Sequence, residues 1–523
     1  GGSLFSRKGG STFGRNQEGG QLPGAEALGR AYQELRRAFD ESQGGFGEPP
    51  KFPQPMVNEL LLRLHPRGGG ADALLMAETN LQQMAAGGIY DQLGGGFHRY
   101  SVDRYWTVPH FEKMLYDNAQ LARLYAHAYL LTGKDLYRRV AEETLDYLLR
   151  EMKAPTGGFY AAQDADSPGG EGAYYVWTPA EVRGVLGEVE GDLACRYFGI
   201  DARGNFEGKS IPTQRVDPVA LARELGLPLE ELEARVAAAR LQLRQDREQR
   251  PRPGTDTKVL ANWNGLALSA LAAAGAALGR ADYLEAAAEL GRYLRGQLLE
   301  GDRLWHVAAV RGGKIEGFLQ DYAFVGEGYL ALYEATLRGE WLEAARSLAA
   351  ALVARFWSER DLTFYDTGEG HEGLIVRPRS LLDNALPAGG SAATSLLLRL
   401  AAIDGRDDYR QRAEAALAPV MRAAPRQPLG FGYWLCAFDF AREYPQELVI
   451  VGARNDPGTQ ALLRVAHGSY RPNLLIVGQE GNEGSPLLKG RIADGQPTAY
   501  YCSNFACLPP TVDPEELKKL LSG

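Results

Sequence analysis

The chain is predicted to be a mainly α protein, a ring of about twelve helices, and three observations carry that expectation. The first is a polar signature that recurs at the head of apolar helical runs. Asp117-Asn118-Ala119, Trp263-Asn264-Gly265, Asp321-Tyr322-Ala323 and Asp383-Asn384-Ala385 each open one, and Asn58 marks an earlier copy. The second is spacing: 59 residues from Asn58 to Asp117, 58 from Trp263 to Asp321 and 62 from Asp321 to Asp383. The 146 residues between Asp117 and Trp263 read as two periods plus an insertion. Two-helix repeats of this length close into a ring or extend as a solenoid. The third is punctuation, with Gly133, Gly279 and Gly405 standing where a left-handed residue ends a helix.

Taken in order, residues 1–24 are Gly/Ser-rich with few apolar anchors and read as a flexible leader. Helical periodicity starts at Ala25 and runs to Phe39. It is broken by Gly44-Gly45-Phe46-Gly47 and by Pro49-Pro50-Lys51-Phe52-Pro53, which lack the backbone donors a helix needs. Residues 25–441 then alternate helix, turn, helix. Leu284, Ala287, Gly291, Leu294 and Leu298 step by three and four along one face, as do Phe318, Tyr322, Val325, Tyr329 and Leu332. Gly/aromatic loops separate the units, and extra helices over about 180–250 interrupt the period. From 442 to 523 strands around Glu447–Val451, Asn473–Val477 and Thr498–Cys502 alternate with helices, which predicts a small α/β domain packed on the outside of the ring.

Composition narrows the function classes. The net charge of −9 and pI near 5.5, without a Lys/Arg block among aromatics, argue against nucleic acid. No apolar run reaches the 18 residues a membrane span needs, and no signal peptide pattern opens the chain, so a cytoplasmic protein is expected. Four cysteines are too few for a disulfide scaffold. The Cys502/Cys507 spacing fits neither a redox pair nor half a zinc site, so both are read as structural, with no metal and no cofactor.

Chemistry-bearing residues concentrate in three places. Gly87 to Asn118 carries Tyr90, Asp91, His98, Arg99, Trp106, His110, Glu112, Tyr116, Asp117 and Asn118 among glycines that let a backbone approach a ligand. His110 stands at the threshold of a helix, where free N–H groups favour an acceptor. The second, Gly157 to Trp177, holds Asp164, Asp166 and Glu171. One reading is half of a carboxylate acid/base pair, another a polar loop closed by side-chain turns, and a calcium loop fails on ligand spacing. The third set is the repeat heads, Asp117, Trp263, Asn264, Asp321, Tyr322, Asp383 and Asn384. An N-cap role explains the acids, while the aromatic and amide neighbours suit sugar hydroxyls. His306 and His371 lie in loops between units and are weaker candidates.

Several long segments carry a resemblance. They are Gly44–Gly47 with Pro50–Pro53, Gly87–Tyr100, Trp106 with Pro109–Asn118, Asp164–Ser167 with Glu171-Gly172, and Asn262–Gly265. Together they resemble the family of spermatogenesis-associated protein 20 and its bacterial YyaL-like relatives. The resemblance implies an (α/α)6 toroid related to six-hairpin glycosidases and N-acylglucosamine 2-epimerases. Members usually carry an N-terminal thioredoxin-like domain. Residues 1–43 have neither its length nor a CxxC, so a fused or separate thioredoxin-like partner is expected elsewhere if at all.

Two function classes follow. One is a carbohydrate-active enzyme, hydrolase or epimerase, working on a sugar-like ligand in the barrel mouth. Its acid and base come from His98, His110, Glu112, Asp117, Asp164, Asp166, Glu171, Asp321 and Asp383. Tyr90, Arg99, Trp106, Tyr116, Asn118, Trp263, Asn264, Tyr322 and Asn384 hold the ligand. The other is a non-catalytic glycan- or protein-binding scaffold. Convergence of acids and bases on one pocket favours the first, and carboxylates satisfied by helix N–H groups favour the second.

Overall fold

The computed structural model describes residues 22–67, 70–307, 314–368, 376–443, 445–480, 485–493, 495–503 and 506–522. Most of the expected leader and His371 lie outside them. Helix α1 (Glu26–Ala38) is followed by hairpins α2 (Pro55–Leu64) with α3 (Gly70–Ala86) and α4 (Leu115–Thr132) with α5 (Asp135–Tyr147). Next come α6 (Pro179–Leu186), α7 (Glu188–Phe198), α8 (Pro218–Leu225) and α9 (Leu229–Arg247). The hairpins resume with α10 (Ala261–Leu278) and α11 (Ala281–Tyr293), α12 (Leu319–Thr336) and α13 (Gly339–Phe356), and α14 (Gly389–Asp404) and α15 (Asp407–Val420). Then follow α16 (Gly432–Arg442), α17 (Pro457–His467) and α18 (Pro514–Ser522).

The hairpins form the predicted (α/α)6 toroid. The inner helices touch in the cyclic order α2, α4, α10, α12, α14, α16, and α16 returns to α2 to close the circle. Outside them stand α3, α5, α11, α13 and α15. The sixth outer place belongs to α1, which packs on α2 and on the turns Ala424–Arg426 and Pro428–Gly430 before α16. Because α4 and α10 are ring neighbours, the long gap between Asp117 and Trp263 holds one repeat and an insertion, where the spacing had suggested two.

Residue chemistry separates the two layers. The outer α5 is amphipathic and buries Tyr137, Val140, Ala141, Thr144 and Leu145 at helical spacing. The inner α10 is buried almost all round, and its small residues let neighbours approach closely. A Cβ on Gly265 would stand 2.5 Å from the Phe324 carbonyl carbon of α12. Hairpins α4/α5, α10/α11 and α14/α15 turn through Gly133, Gly279 and Gly405 at φ of 70°, 69° and 67°.

Helices α6–α9 bury a core of their own around Trp177, Leu193, Phe198, Leu232 and Leu243. They are tied to the ring by a buried ionic triad. Asp91 accepts the Lys113 ammonium at 2.8 Å and both Arg247 Nη groups at 2.8 and 2.9 Å, beneath the rings of Tyr174 and Tyr175. In the C-terminal domain, strand Gln446–Val451 lies between a parallel partner, Leu474–Gly478, and an antiparallel one, Thr498–Ser503. Cys502 and Cys507 face each other across the edge pair and are disulfide-bonded. This domain does not lie against the outer wall as expected. It covers the end of the ring where the inner helices finish: Tyr470 donates to Glu59, His467 to the Glu334 carbonyl, and Gly478 N–H to the Tyr333 hydroxyl.

Candidate functional site

The opposite end, where the inner helices begin, is drawn together by polar links. Asn262 N–H at the head of α10 donates to Asp321 of α12 (2.9 Å), and Tyr433 N–H in α16 donates to Asp383 before α14 (2.8 Å). Gln120 of α4 and Gln320 of α12 donate to the carbonyls of Ala385 and Pro387, so the segment leading to α14 straps the mouth from one wall to the opposite one.

One side of this rim gathers seven of the expected site residues. The short pair Tyr100-Ser101 and Pro109-His110 lays the Tyr100 ring on the His110 imidazole, with centroids 5.1 Å apart. His110 Nδ1 is 2.8 Å from Glu171 and its Nε2 is 3.5 Å from Glu112. Glu112 accepts from Arg99 at 2.9 Å. Beside them Tyr116 meets Trp263 edge to face at 4.7 Å. Asp117 is the third residue of α4, buried, with Oδ2 lacking any hydrogen-bond partner among the described residues. Burial holds its carboxyl well above the ordinary range; Arg99 opposes this and Glu112 adds to it. A carboxyl biased toward its protonated form beside an ion-paired carboxylate is a division of labour suited to general acid/base chemistry.

The other expected residues are engaged elsewhere. His98 is buried between Phe111 and Tyr175 and donates Nδ1–H to the Phe111 carbonyl at 2.8 Å, and desolvation lowers its pKa to about 3. Asp164 and Asp166 are exposed; the two-residue pairing of Asp166 with Glu171 carries Glu171 onto His110. Asp321 accepts Phe318 N–H, Asn262 N–H and His306 Nδ1–H. Asp383 accepts the N–H groups of Ala388, Tyr433 and Trp434 and the Ser391 hydroxyl. Both serve helix heads.

The amide and aromatic neighbours of those acids also face backbone, where sugar hydroxyls had been expected. Asn118 accepts Phe97 N–H at 2.6 Å and donates to the Phe97 carbonyl, and Asn264 treats Phe159 in the same way. The Tyr322 hydroxyl accepts Leu304 N–H. Tyr90 donates to Glu143, and the Trp106 indole, at a φ of 62°, donates to the Gln43 carbonyl. Asn384 is exposed in the strap, ahead of a helix that starts only at Gly389.

A second polar region was missed in the sequence. The lumen beyond the mouth contains a cavity of about 210 Å³ floored by the C-terminal domain. Glu59 and Arg63 of α2, Arg123 and His127 of α4, Glu327 and Glu334 of α12, and Ser395 and Arg399 of α14 line it. Each pair is four or seven residues apart inside an otherwise apolar helix. That spacing is the signal that marks a polar lumen face. Among the described residues no group of three or more His, Cys, Asp or Glu side chains is arranged to hold a metal ion, and no helix is long and apolar enough to cross a membrane.

No protein-family model matches the chain. Spermatogenesis-associated protein 20 of Homo sapiens is 36% identical over 96% of this chain and 70% of its own length, and that of Mus musculus is 34% identical over the same shares. Among solved structures, the GH76 alpha-mannanase BT2949 of Bacteroides thetaiotaomicron is similar at 12% identity and a TM-score of 0.45, over 75% of this chain and 82% of that one.

Proposed function

The chain belongs to the spermatogenesis-associated protein 20 family, and from that premise we propose that this member is a carbohydrate-active enzyme whose acid/base centre is the rim around Asp117. The observation that carries the reading is the setting of Asp117, a buried carboxyl whose Oδ2 has no hydrogen-bond partner among the described residues and whose pKa burial pushes well up, beside the Glu112–Arg99 pair. In glycoside cleavage Asp117 gives its proton to the leaving oxygen as the anomeric C–O bond breaks. Glu112, ion-paired with Arg99, takes the proton of the attacking water. His110, between Glu112 and Glu171, relays that proton outward. Tyr116 and Trp263 offer the aromatic edge against which a sugar ring packs.

The scaffold reading draws on Asp321 and Asp383, whose oxygens are occupied by helix N–H groups. Asp117 supports the enzyme reading, because most buried carboxyl oxygens with a purely structural role are hydrogen-bonded.

The test is turnover of a panel of aryl glycosides and oligosaccharides, followed by aglycone release and new reducing ends. Asp117→Asn is expected to lower kcat/KM by roughly 10²–10⁴-fold, with melting temperature retained because Oδ2 has no bond to lose. Substrate turnover unchanged in Asp117→Asn, or no turnover and no binding of any glycan by the parent chain, would sink the proposal.

A further inference from the structure

The cavity in the lower lumen lies apart from the mouth, and its chemistry selects a ligand independently of the proposed rim activity. Four arginines, Arg63, Arg123, Arg399 and Arg471, line it against three glutamates. The glutamates are already engaged: Glu59 by His127 (2.8 Å) and Tyr470 (2.9 Å), Glu334 by Arg399 (2.6 Å), and Glu327 by the Tyr433 hydroxyl (2.8 Å). Two of the cations are not matched in this way. Among the described residues Arg123 and Arg471 make no ion pair with a carboxylate; Arg123 leans on the Tyr433 hydroxyl and Arg471 on the Gln446 side-chain carbonyl. Glu59 and Glu327 support the Arg123 cation from a distance, and its donors not turned to Tyr433 face the void, where an anion or water completes them.

Position and size narrow the class. Arg123, Glu59 and Tyr433 also line a smaller void directly under Pro387 of the mouth strap, so they form the waist between the two chambers. The lower chamber, at about 210 Å³, has room for a compact polar guest. Three carboxyl groups in the wall repel a doubly charged guest, while a planar monocarboxylate matches the guanidinium fork of Arg123. Ser269 offers a hydroxyl in the wall for a hydroxyl group of the guest.

We infer that the lower lumen is a binding site for a small hydroxylated monocarboxylic acid, anchored on Arg123 at the waist and enclosed from below by the C-terminal domain. The ligand enters no covalent step. It completes the lumen's charge and, through Tyr470 and Arg471, ties the C-terminal domain to the ring.

Calorimetric titration and thermal shift on the full chain test this, with lactate, glycerate, gluconate and glucuronate as probes. Glucose and glycerol serve as neutral controls and inorganic phosphate as the more highly charged one. At least one hydroxy acid is expected to bind one to one, raise the melting temperature and exceed its neutral counterpart in affinity by about tenfold or more. Arg123→Gln should weaken it by about tenfold or more, and Arg123→Lys by less. Ala273→Leu, which fills the chamber without touching a charge, should do the same as Arg123→Gln and keeps the test open if a charge variant folds poorly. The inference falls if none of the four acids binds the parent chain saturably, if binding survives both Arg123→Gln and Ala273→Leu, or if glucose binds as well as gluconate. Tighter binding of phosphate than of every hydroxy acid overturns the ligand class.

Discussion

Single side chains in this molecule are tuned by burial more than by partners, and two of them pull stability in opposite directions with pH. His98 is neutral in the folded chain down to about pH 3, whereas an unfolded histidine takes a proton near 6.5. Below pH 6.5 the unfolded state therefore binds more protons, and His98 costs up to about 1.4 kcal/mol of stability per pH unit as acid is added. Asp383 runs the other way. Its folded pKa is raised to about 6 by burial against an ordinary 3.8, so its contribution is complete below 3.8 and is lost as pH climbs to 6. His98→Asn should remove part of the acid-induced loss between pH 6.5 and 3. Asp383→Asn should steepen the decline between 6 and 3.8, relative to its own stability at pH 7. Urea midpoints across that range check both, and a pH profile of His98→Asn parallel to the parent's would refute the assignment. The residues themselves were legible as polar groups near loops. Which of them face a ligand was not, because His98 and His110 sit in the same glycine-rich stretch, and only the fold turns one into the core and the other onto Glu171.

Among elements, the repeat heads show why the same letters recur. Asn58, Asn118 and Asn264 each occupy the fourth position of an inner helix and donate to the carbonyl four residues before, Gln54, Met114 and Leu260. Asn118 and Asn264 additionally grip both backbone groups of one loop residue, Phe97 and Phe159. The signature that suggested sugar contacts is thus a clamp that fixes each Gly/aromatic loop on its helix. An isolated sequence does not distinguish an amide aimed at a ligand from one aimed at a loop. The clamp makes a ranked prediction. Asn118→Leu and Asn264→Leu strand a buried N–H and C=O and should each cost about 2–5 kcal/mol. Asn58→Leu should cost less, since Asn58 Oδ1 has no partner to abandon. Denaturant unfolding of the three variants decides it, and equal losses would refute the clamp. The inner helices also explain the missed lumen. Buried on nearly every side, they carry no apolar stripe to orient them, so Arg123 with His127, or Glu327 with Glu334, reads as scattered charge until the ring closes around it.

For the whole molecule, closure of the ring depends on how near its inner helices can come, and the pair α10/α12 sets the limit. Gly265 faces the backbone of Phe324 and Val325, where a methyl group would stand 2.5 and 2.6 Å away, and Gly328 returns the contact onto the Gly265 carbonyl at 2.8 Å. Backbone cannot swing aside as a side chain does, so the helices would have to part and the mouth with them. The near-60-residue period predicted stacked two-helix units, each burying its face on a neighbour, for which a ring was one of two arrangements. Its tightness was not readable, because glycines in an Ala-rich helix look like weak helix formers until their neighbours are known. Gly29 supplies the control: it lies on the exposed face of α1, with nothing within 4 Å of an added Cβ. On propensity alone, alanine at either site should stabilise a helix by about 1 kcal/mol. Gly29→Ala is expected to show that gain. Gly265→Ala should instead lose about 1–3 kcal/mol through overpacking, and by pushing α10, which carries Trp263, off α12 it should lower rim activity more than Gly29→Ala does. Thermal unfolding of the two variants side by side is the measurement, and a Gly265→Ala chain as stable as Gly29→Ala would mean that α10 and α12 can separate without cost to the ring.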